Sequence, residues 1–177
     1  MKQNDELAFK ELYRRYKDRV FYYFYRMLNN SEQKAQDFLQ DLFMKVIEKL
    51  DTFDTKYCFS TWIFSVAHNM CKNEYRRMSR NKCIEWENFP EVKNDKVTPE
   101  DALNRLTENI YRSLGDFDEE HKTCFLLKYR EGLSLSEISE IMDVSEGTVK
   151  SRLFYTRKKL KERFKFLYKA YITDELY

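Results

Sequence analysis

Residues 1–89 contain neither glycine nor proline; Pro90, Pro99, Gly115, Gly132 and Gly147 all come later. So long a stretch without breakers favours long helices. Proline removes a helical donor and clashes with the preceding turn, and glycine loses the most backbone entropy on ordering. Within it, apolar residues recur at helical spacing. Phe9, Leu12, Tyr13, Tyr16, Val20, Phe24 and Leu28 form a first stripe, and Ala35, Phe38, Leu39, Leu42, Phe43, Val46, Ile47 and Leu50 a second. Trp62, Ile63, Val66, Ala67 and Met70 form a third. Asn29-Asn30-Ser31 interrupts the first two, with Ser31 predicted as an N-cap. A loop over about residues 51–59 precedes the third helix, which Ser60 is predicted to cap. The second half reads as four shorter helices, at about 100–114, 118–131, 135–142 and 146–168, with Gly115 and Gly132 where helices should end. No alternating strand pattern is visible, so the expected fold class is all-α.

Residues 83–99 change character: acidic, proline-marked and without a stripe. They read as a flexible linker between two small helical domains, 1–82 and 100–177, each half too small to share one obvious core with the other. Fully extended, these 17 residues reach about 55 Å at roughly 3.3 Å each.

The formal net charge of +2 hides a segregation. Lys72 to Lys82 holds five basic residues and one acid, Glu85 to Glu120 eleven acids against four Lys or Arg, and Lys150 to Lys169 nine basic residues and one acid. Two basic segments around an acidic one fit two contacts with a polyanion. Cys58, Cys71, Cys83 and Cys124 lack close pairing, and only His68 and His121 are available to assist, so no metal or other cofactor is expected. Buried or idle thiols in a reducing cytoplasm are the simpler reading. The N-terminal MKQNDELAF has no apolar signal core and no apolar run approaches a membrane span, which points to a cytoplasmic chain with no direct membrane insertion. Paired carboxylates, a Cys-His pair or a glycine-rich phosphate loop are not found in a plausible context, so no enzyme is expected.

The sharpest local signal runs from Leu135 to Leu153. A short helix ends near Met142, Asp143 occupies a tight turn and Ser145 caps a second helix. Leu135, Ile138, Val144, Val149 and Leu153 are spaced to pack the two across that turn, as in a helix-turn-helix. The second helix of such a motif enters the major groove. Thr148, Ser151, Arg152 and Tyr155 are expected to face the bases, with Arg152 suited to a guanine edge. Lys150, Arg157, Lys158, Lys159 and Lys161 are better placed for phosphates.

These residues resemble a known family. EIxxxxxVSEGTVKSRL, ending in RKKL, is similar to the fourth domain of bacterial RNA polymerase sigma factors, which binds the minus-thirty-five promoter element. Upstream, Ala35-Gln36-Asp37-Phe38-Leu39-Gln40-Asp41-Leu42-Phe43 resembles the family's core-binding helix. Phe59-Ser60-Thr61-Trp62-Ile63, through Ala67, Asn69 and Arg76-Arg77, resembles the helix after the minus-ten recognition loop. The matches cover about residues 7–82 and 102–164, in the family's order. Absence of the extra domains of housekeeping sigma factors indicates the extracytoplasmic-function (ECF) group. Ser139 stands where Ala is common, Asp143 where Gly is usual, His68 where Arg is frequent, and Tyr155-Thr156 replaces Arg-Ala.

The resemblance implies a promoter-specificity factor that mounts polymerase core, through the beta-prime clamp helices and the beta flap, and directs initiation at a promoter set. Asp37, Gln40, Asp41, Met44 and Glu48 are the expected core-binding face. Tyr57, Phe59, Asn69, Lys72, Arg76, Arg77 and Arg80 are expected to handle the melted minus-ten strand, by stacking and by following its backbone. Thr148, Lys150, Ser151, Arg152, Tyr155, Arg157, Lys158 and Lys159 are expected on minus-thirty-five DNA. Trp62 is expected in the core rather than as a stacking platform, and His68 as at most a surface contact. An anti-sigma factor is an implied partner, and the chain is expected on the nucleoid when bound to polymerase. The alternatives are a stand-alone helix-turn-helix regulator and an adaptor that has lost DNA binding.

Overall fold

In a computed structural model of the chain, the described residues are 3–49, 53, 58–80 and 99–174, without the side chains of 3–5, 80, 99–103 and 166–174. Among them the helices run α1 (Gln3–Met27), α2 (Glu32–Lys49), α3 (Phe59–Arg80), α4 (Pro99–Ser113), α5 (Glu119–Phe125), α6 (Leu135–Met142) and α7 (Glu146–Asp174), with no strand. The expected all-α class is what the chain adopts.

Asn29 and Asn30 turn the corner between α1 and α2 with φ of 56° and 59°, a left-handed conformation that asparagine accepts more readily than most residues. The Ser31 hydroxyl accepts from the Lys34 amide at 3.4 Å, as its predicted cap role requires. Phe38, early in α2, meets Phe24, late in α1, at 5.4 Å between ring centroids, whereas Phe43 meets Phe9 at 6.0 Å and Tyr13 at 4.7 Å. The two helices are therefore antiparallel. Helix α3 lays Ile63, Phe64, Ala67 and Cys71 onto them, all fully buried. Taking a side chain the size of Phe64 out of water contributes about 1.5–3 kcal/mol. Ser60 does not cap α3. The first turn closes on Cys58, whose carbonyl accepts from the Trp62 amide at 3.2 Å, so Ser60 falls inside the helix with its hydroxyl on Cys58 Sγ.

In the second half, Ser113 leads into a 3-10 turn over Leu114–Asp116, and Gly115 sits within that turn rather than ending a helix in a left-handed conformation. Asp118 caps α5 by accepting from the His121 amide, and the helix then widens into a π turn over Leu126–Arg130. Gly132, at φ 74°, ends it. Helix α6 opens with a reciprocal cap: Ser134 Oγ accepts from the Glu137 amide while Glu137 Oε2 accepts from the Ser134 amide at 2.8 Å. Asp143 then turns the chain at φ 53°, ψ 51°, and Ser145 Oγ accepts from the Thr148 amide at 3.1 Å to start α7. Ile138, Val149 and Leu153 are buried between the two helices, with Leu135 and Val144 packed at the edge. This is the expected helix-turn-helix, with Asp143 in the left-handed turn where the family usually has glycine.

The two halves also pack on one another, and their buried side chains form one contiguous cluster. Helix α3 lies along α6, and α1 and α3 meet α5. The sequence reading left each half with its own core. Besides this apolar contact, polar pairs that hydrophobic periodicity does not register join them. Arg19 Nε donates to Glu131 at 2.7 Å, Arg26 Nη2 to Glu108 at 2.6 Å, and Thr61 Oγ1 to Glu137 at 3.4 Å, while the Tyr23 and Thr123 hydroxyls lie 3.4 Å apart. The Arg26 guanidinium also lies over the Tyr22 and Tyr25 rings at 4.9 and 5.2 Å. The expected linker falls outside the described residues up to Pro99, where α4 begins.

Candidate nucleic-acid interface

Asp37, Gln40, Asp41, Met44 and Glu48 recur at three- and four-residue intervals along α2, and all five are exposed, Met44 at 54%. Their shared face is turned away from buried Ala35, Leu42 and Val46. The carboxylates of Asp37, Asp41 and Glu48 make no ion pair with another described residue. Beside this face a groove of about 600 Å³ opens between α1 and α2, lined by Phe9, Tyr13, Phe21, Leu39, Phe43, Met44 and Ile47. Tyr13 and Ile47 belong to the apolar stripes of the sequence, yet they are 40% and 39% exposed. Both sit at the edge of the helical stripe, where periodicity does not separate core from rim.

At the start of α3, Phe59 is half-buried among Tyr16 at 5.1 Å, Phe53 at 5.5 Å and Trp62 at 5.4 Å. Trp62 belongs to this aromatic group, consistent with a packing role. Tyr57 and the Arg80 side chain lie outside the described residues. Asn69, Arg76 and Arg77 are exposed along α3, and Lys72 is half-buried. Arg77 is held by Glu74 through two hydrogen bonds of 2.7 Å, which keeps the Glu74 carboxyl below the usual range. His68 is only 5% exposed, so the expected surface contact is not available to it in this arrangement. Burial, aided by Lys72 of its own helix and Arg152 of α7, brings its pKa down to about 4.

On α7, Ser151, Tyr155, Lys150, Arg157, Lys158 and Lys159 are exposed. Thr148 is half-buried, its hydroxyl 3.0 Å from Ser145 Oγ. Lys150 reaches Glu146 at 3.9 Å, and the Lys159 ammonium lies 4.8 Å from the centre of the Phe117 ring. Arg152 stands apart from this set. Its side chain is 14% exposed and its Nη2 pairs with Glu120 of α5, beside His68. Phe154 was missed by sequence reasoning. It is 55% exposed and packs edge-on against Tyr155, itself 59% exposed, at 5.5 Å. Its signal lies in the register, because with Val149 and Leu153 inward the next position turns outward. Among the described residues no group of His, Cys, Asp and Glu is arranged to hold a metal ion; Cys58, Cys71 and Cys124 are free thiols, and Cys83 lies outside them.

Known proteins show which family the chain falls in. Residues 12–81 match the Sigma-70 region 2 family and residues 101–160 the Sigma-70 region 4 family. The ECF RNA polymerase sigma factor SigW of Bacillus subtilis is 30% identical, over 94% of this chain and 94% of its own length. This chain belongs to the ECF sigma factors. The ECF RNA polymerase sigma-E factor of Escherichia coli K12 is 29% identical over 89% of this chain and 87% of its own. In structure, the chain resembles CnrH, solved with the cytosolic domain of CnrY, at a TM-score of 0.66, with 23% identity, over 90% of this chain and 89% of that one. It also resembles RpoE of Bartonella quintana, solved with the anti-sigma factor NepR, at a TM-score of 0.68, with 21% identity, over 89% and 97%. At those identities the likeness speaks for the fold.

As a sigma factor, the chain directs transcription initiation, working with polymerase core and promoter DNA. The family is not an enzyme class. No described helix is long and apolar enough to cross a membrane.

Proposed function

We propose that this sigma factor divides its work between residues 1–82, which hold core and read the minus-ten element, and residues 100–177, which read the minus-thirty-five element, with 83–99 as the tether. Core docks on Asp37, Gln40, Asp41, Met44 and Glu48. The observation that carries this assignment is the open acidic and Met-bearing face of α2 beside an apolar groove. Carboxylates around an apolar anchor suit a basic partner helix lying in that groove. The beta-prime clamp helices fill that role in the family, and the beta flap takes the second half.

The opened strand meets Tyr57, Phe59, Asn69, Lys72, Arg76, Arg77 and Arg80, where an aromatic group precedes a run of cations. Ser151 and Tyr155, with Phe154 beside them, lie on the groove side of α7. Apolar and hydroxyl groups there can meet thymine methyls and base edges, while Lys150, Arg157, Lys158 and Lys159 anchor phosphates. Thr148 lies beside them in the first turn, its hydroxyl against the capping Ser145. The factor acts in the cytoplasm, catalyses nothing itself, and is held in reserve by an anti-sigma factor, as CnrH and RpoE are found with CnrY and NepR.

Charge reversal tests the core face. Asp41→Lys should weaken binding to purified core by about tenfold, or about 1.4 kcal/mol, in a titration followed by anisotropy. Retention of wild-type affinity would remove the α2 face from the assignment.

A further inference from the structure

Val149, Leu153 and Thr156 make the inner side of α7, all of them buried. Its outer side carries two large rings that this packing does not use. Phe154 and Tyr155 are 55% and 59% exposed, and among the described residues each has the other as its only ring partner, edge-on at 5.5 Å. Tyr129, the other exposed large apolar residue described in this half, differs in leaning on Phe125 at 4.7 Å. Cations frame the pair. Lys150 stands one turn before it and Arg157 and Lys158 one turn after, all exposed. Rings set in positive charge suit a polyanion that also offers apolar groups.

The side chain best suited to guanine is withdrawn from this face. Arg152 is 14% exposed and pairs with Glu120 of α5, within the same half. The Thr148 hydroxyl is engaged 3.0 Å from Ser145 Oγ, and Lys150 is turned to Glu146 at 3.9 Å. Ser151 remains, and a hydroxyl serves several bases. In the major groove only thymine presents a methyl group; the other bases present donors and acceptors that a phenyl ring leaves unpaired. The 5.5 Å between the rings exceeds one base step of about 3.4 Å and falls short of two, which fits neighbouring base pairs.

We propose that Phe154 and Tyr155 read two adjacent thymines of one strand of the upstream element through their methyl groups. This apolar contact, not an arginine–guanine pair, is the main base discrimination made by α7. It rests on the assignment of α7 to promoter DNA. Lys150, Arg157 and Lys158 hold the phosphates on either side.

The test uses holoenzyme assembled from the full chain and purified core, with a pool of duplexes randomised across both promoter elements. Wild type should enrich an upstream element containing adjacent thymines. Phe154→Ala with Tyr155→Ala should lose that preference and keep the downstream one. Deoxyuridine in place of the two thymines removes the methyls alone. It should weaken wild type by about fourfold per methyl and leave the double variant within about twofold of its own thymine value. An upstream motif fixed by guanine, or equal sensitivity to deoxyuridine in both proteins, overturns the reading by rings and leaves the assignment of α7 standing. Weaker core binding by the double variant gives the pair to a protein partner and also overturns it. If wild-type holoenzyme selects no upstream motif at all, the assignment of α7 falls and takes the inference with it.

Discussion

Helices α2 and α3 are neighbours in chain and space, yet they present their working faces in opposite ways. The outer face of α2 stands in solvent, its carboxylates without ion-pair partners among the described residues and Met44 more than half exposed. The side of α3 that carries Thr61 and His68 is covered by the second half. One surface is open along its length; the other is open at Asn69, Arg76 and Arg77 and covered at Thr61 and His68. The two should therefore respond unequally to substitution.

The widest separation should come from size. Phe64→Ala removes a fully buried ring packed against Tyr23 at 5.8 Å and should lower stability by about 3–5 kcal/mol. Met44→Ala, on the open face, should stay within about 0.5 kcal/mol. Urea unfolding of both variants reads the difference, and similar losses would break the contrast.

Acid should reach α3 next. The folded chain holds His68 neutral down to about pH 4, against 6.5 for an ordinary histidine, because burial and then Lys72 and Arg152 disfavour its charge. The unfolded chain therefore binds a proton that the folded chain refuses. The stabilisation is complete above pH 6.5 and is lost as pH falls towards about 4, by roughly 2–3 kcal/mol. Urea midpoints across that range should fall in wild type and flatten in His68→Gln; equal slopes would place the acid sensitivity elsewhere.

A smaller effect sharpens the same contrast in charge. The Glu131 side chain is 2% exposed and accepts from Arg19, so Glu131→Gln should cost about 1–2 kcal/mol. Asp37→Asn on α2 should change stability by less than about 0.5 kcal/mol. Thermal melts at low and moderate salt would resolve the pair, and equal shifts would count against a buried polar latch.

This division also marks how far sequence reasoning reached. The helix-turn-helix was legible nearly to the residue because its determinants are local. Ser145 caps within its own turn, Asp143 tolerates the left-handed bend, and Val149 and Leu153 repeat at four. The α2 face was legible for the same reason, polar residues at helical intervals opposite an apolar stripe. The junction of His68, Glu120 and Arg152 was not, because its members lie 32 to 84 positions apart along the chain and no pattern of spacing joins them. Arg152 read as groove-facing because it was placed opposite Val149 and Leu153, yet helical rotation carries it towards α5, while Phe154 comes round to the outside. Ser60 failed as a cap for a simpler reason: the backbone of Cys58 closes the turn first.

Glu137 has one further consequence. Its Oε2 completes the cap of α6 with Ser134, while its Oε1 receives Thr61 from across the junction. The cap is internal to the reading motif, and the Thr61 contact is not. Drawing α3 away therefore severs only the outer bond and leaves the motif's own fastenings in place. A helix-turn-helix freed of that contact would keep its fold without any refolding step.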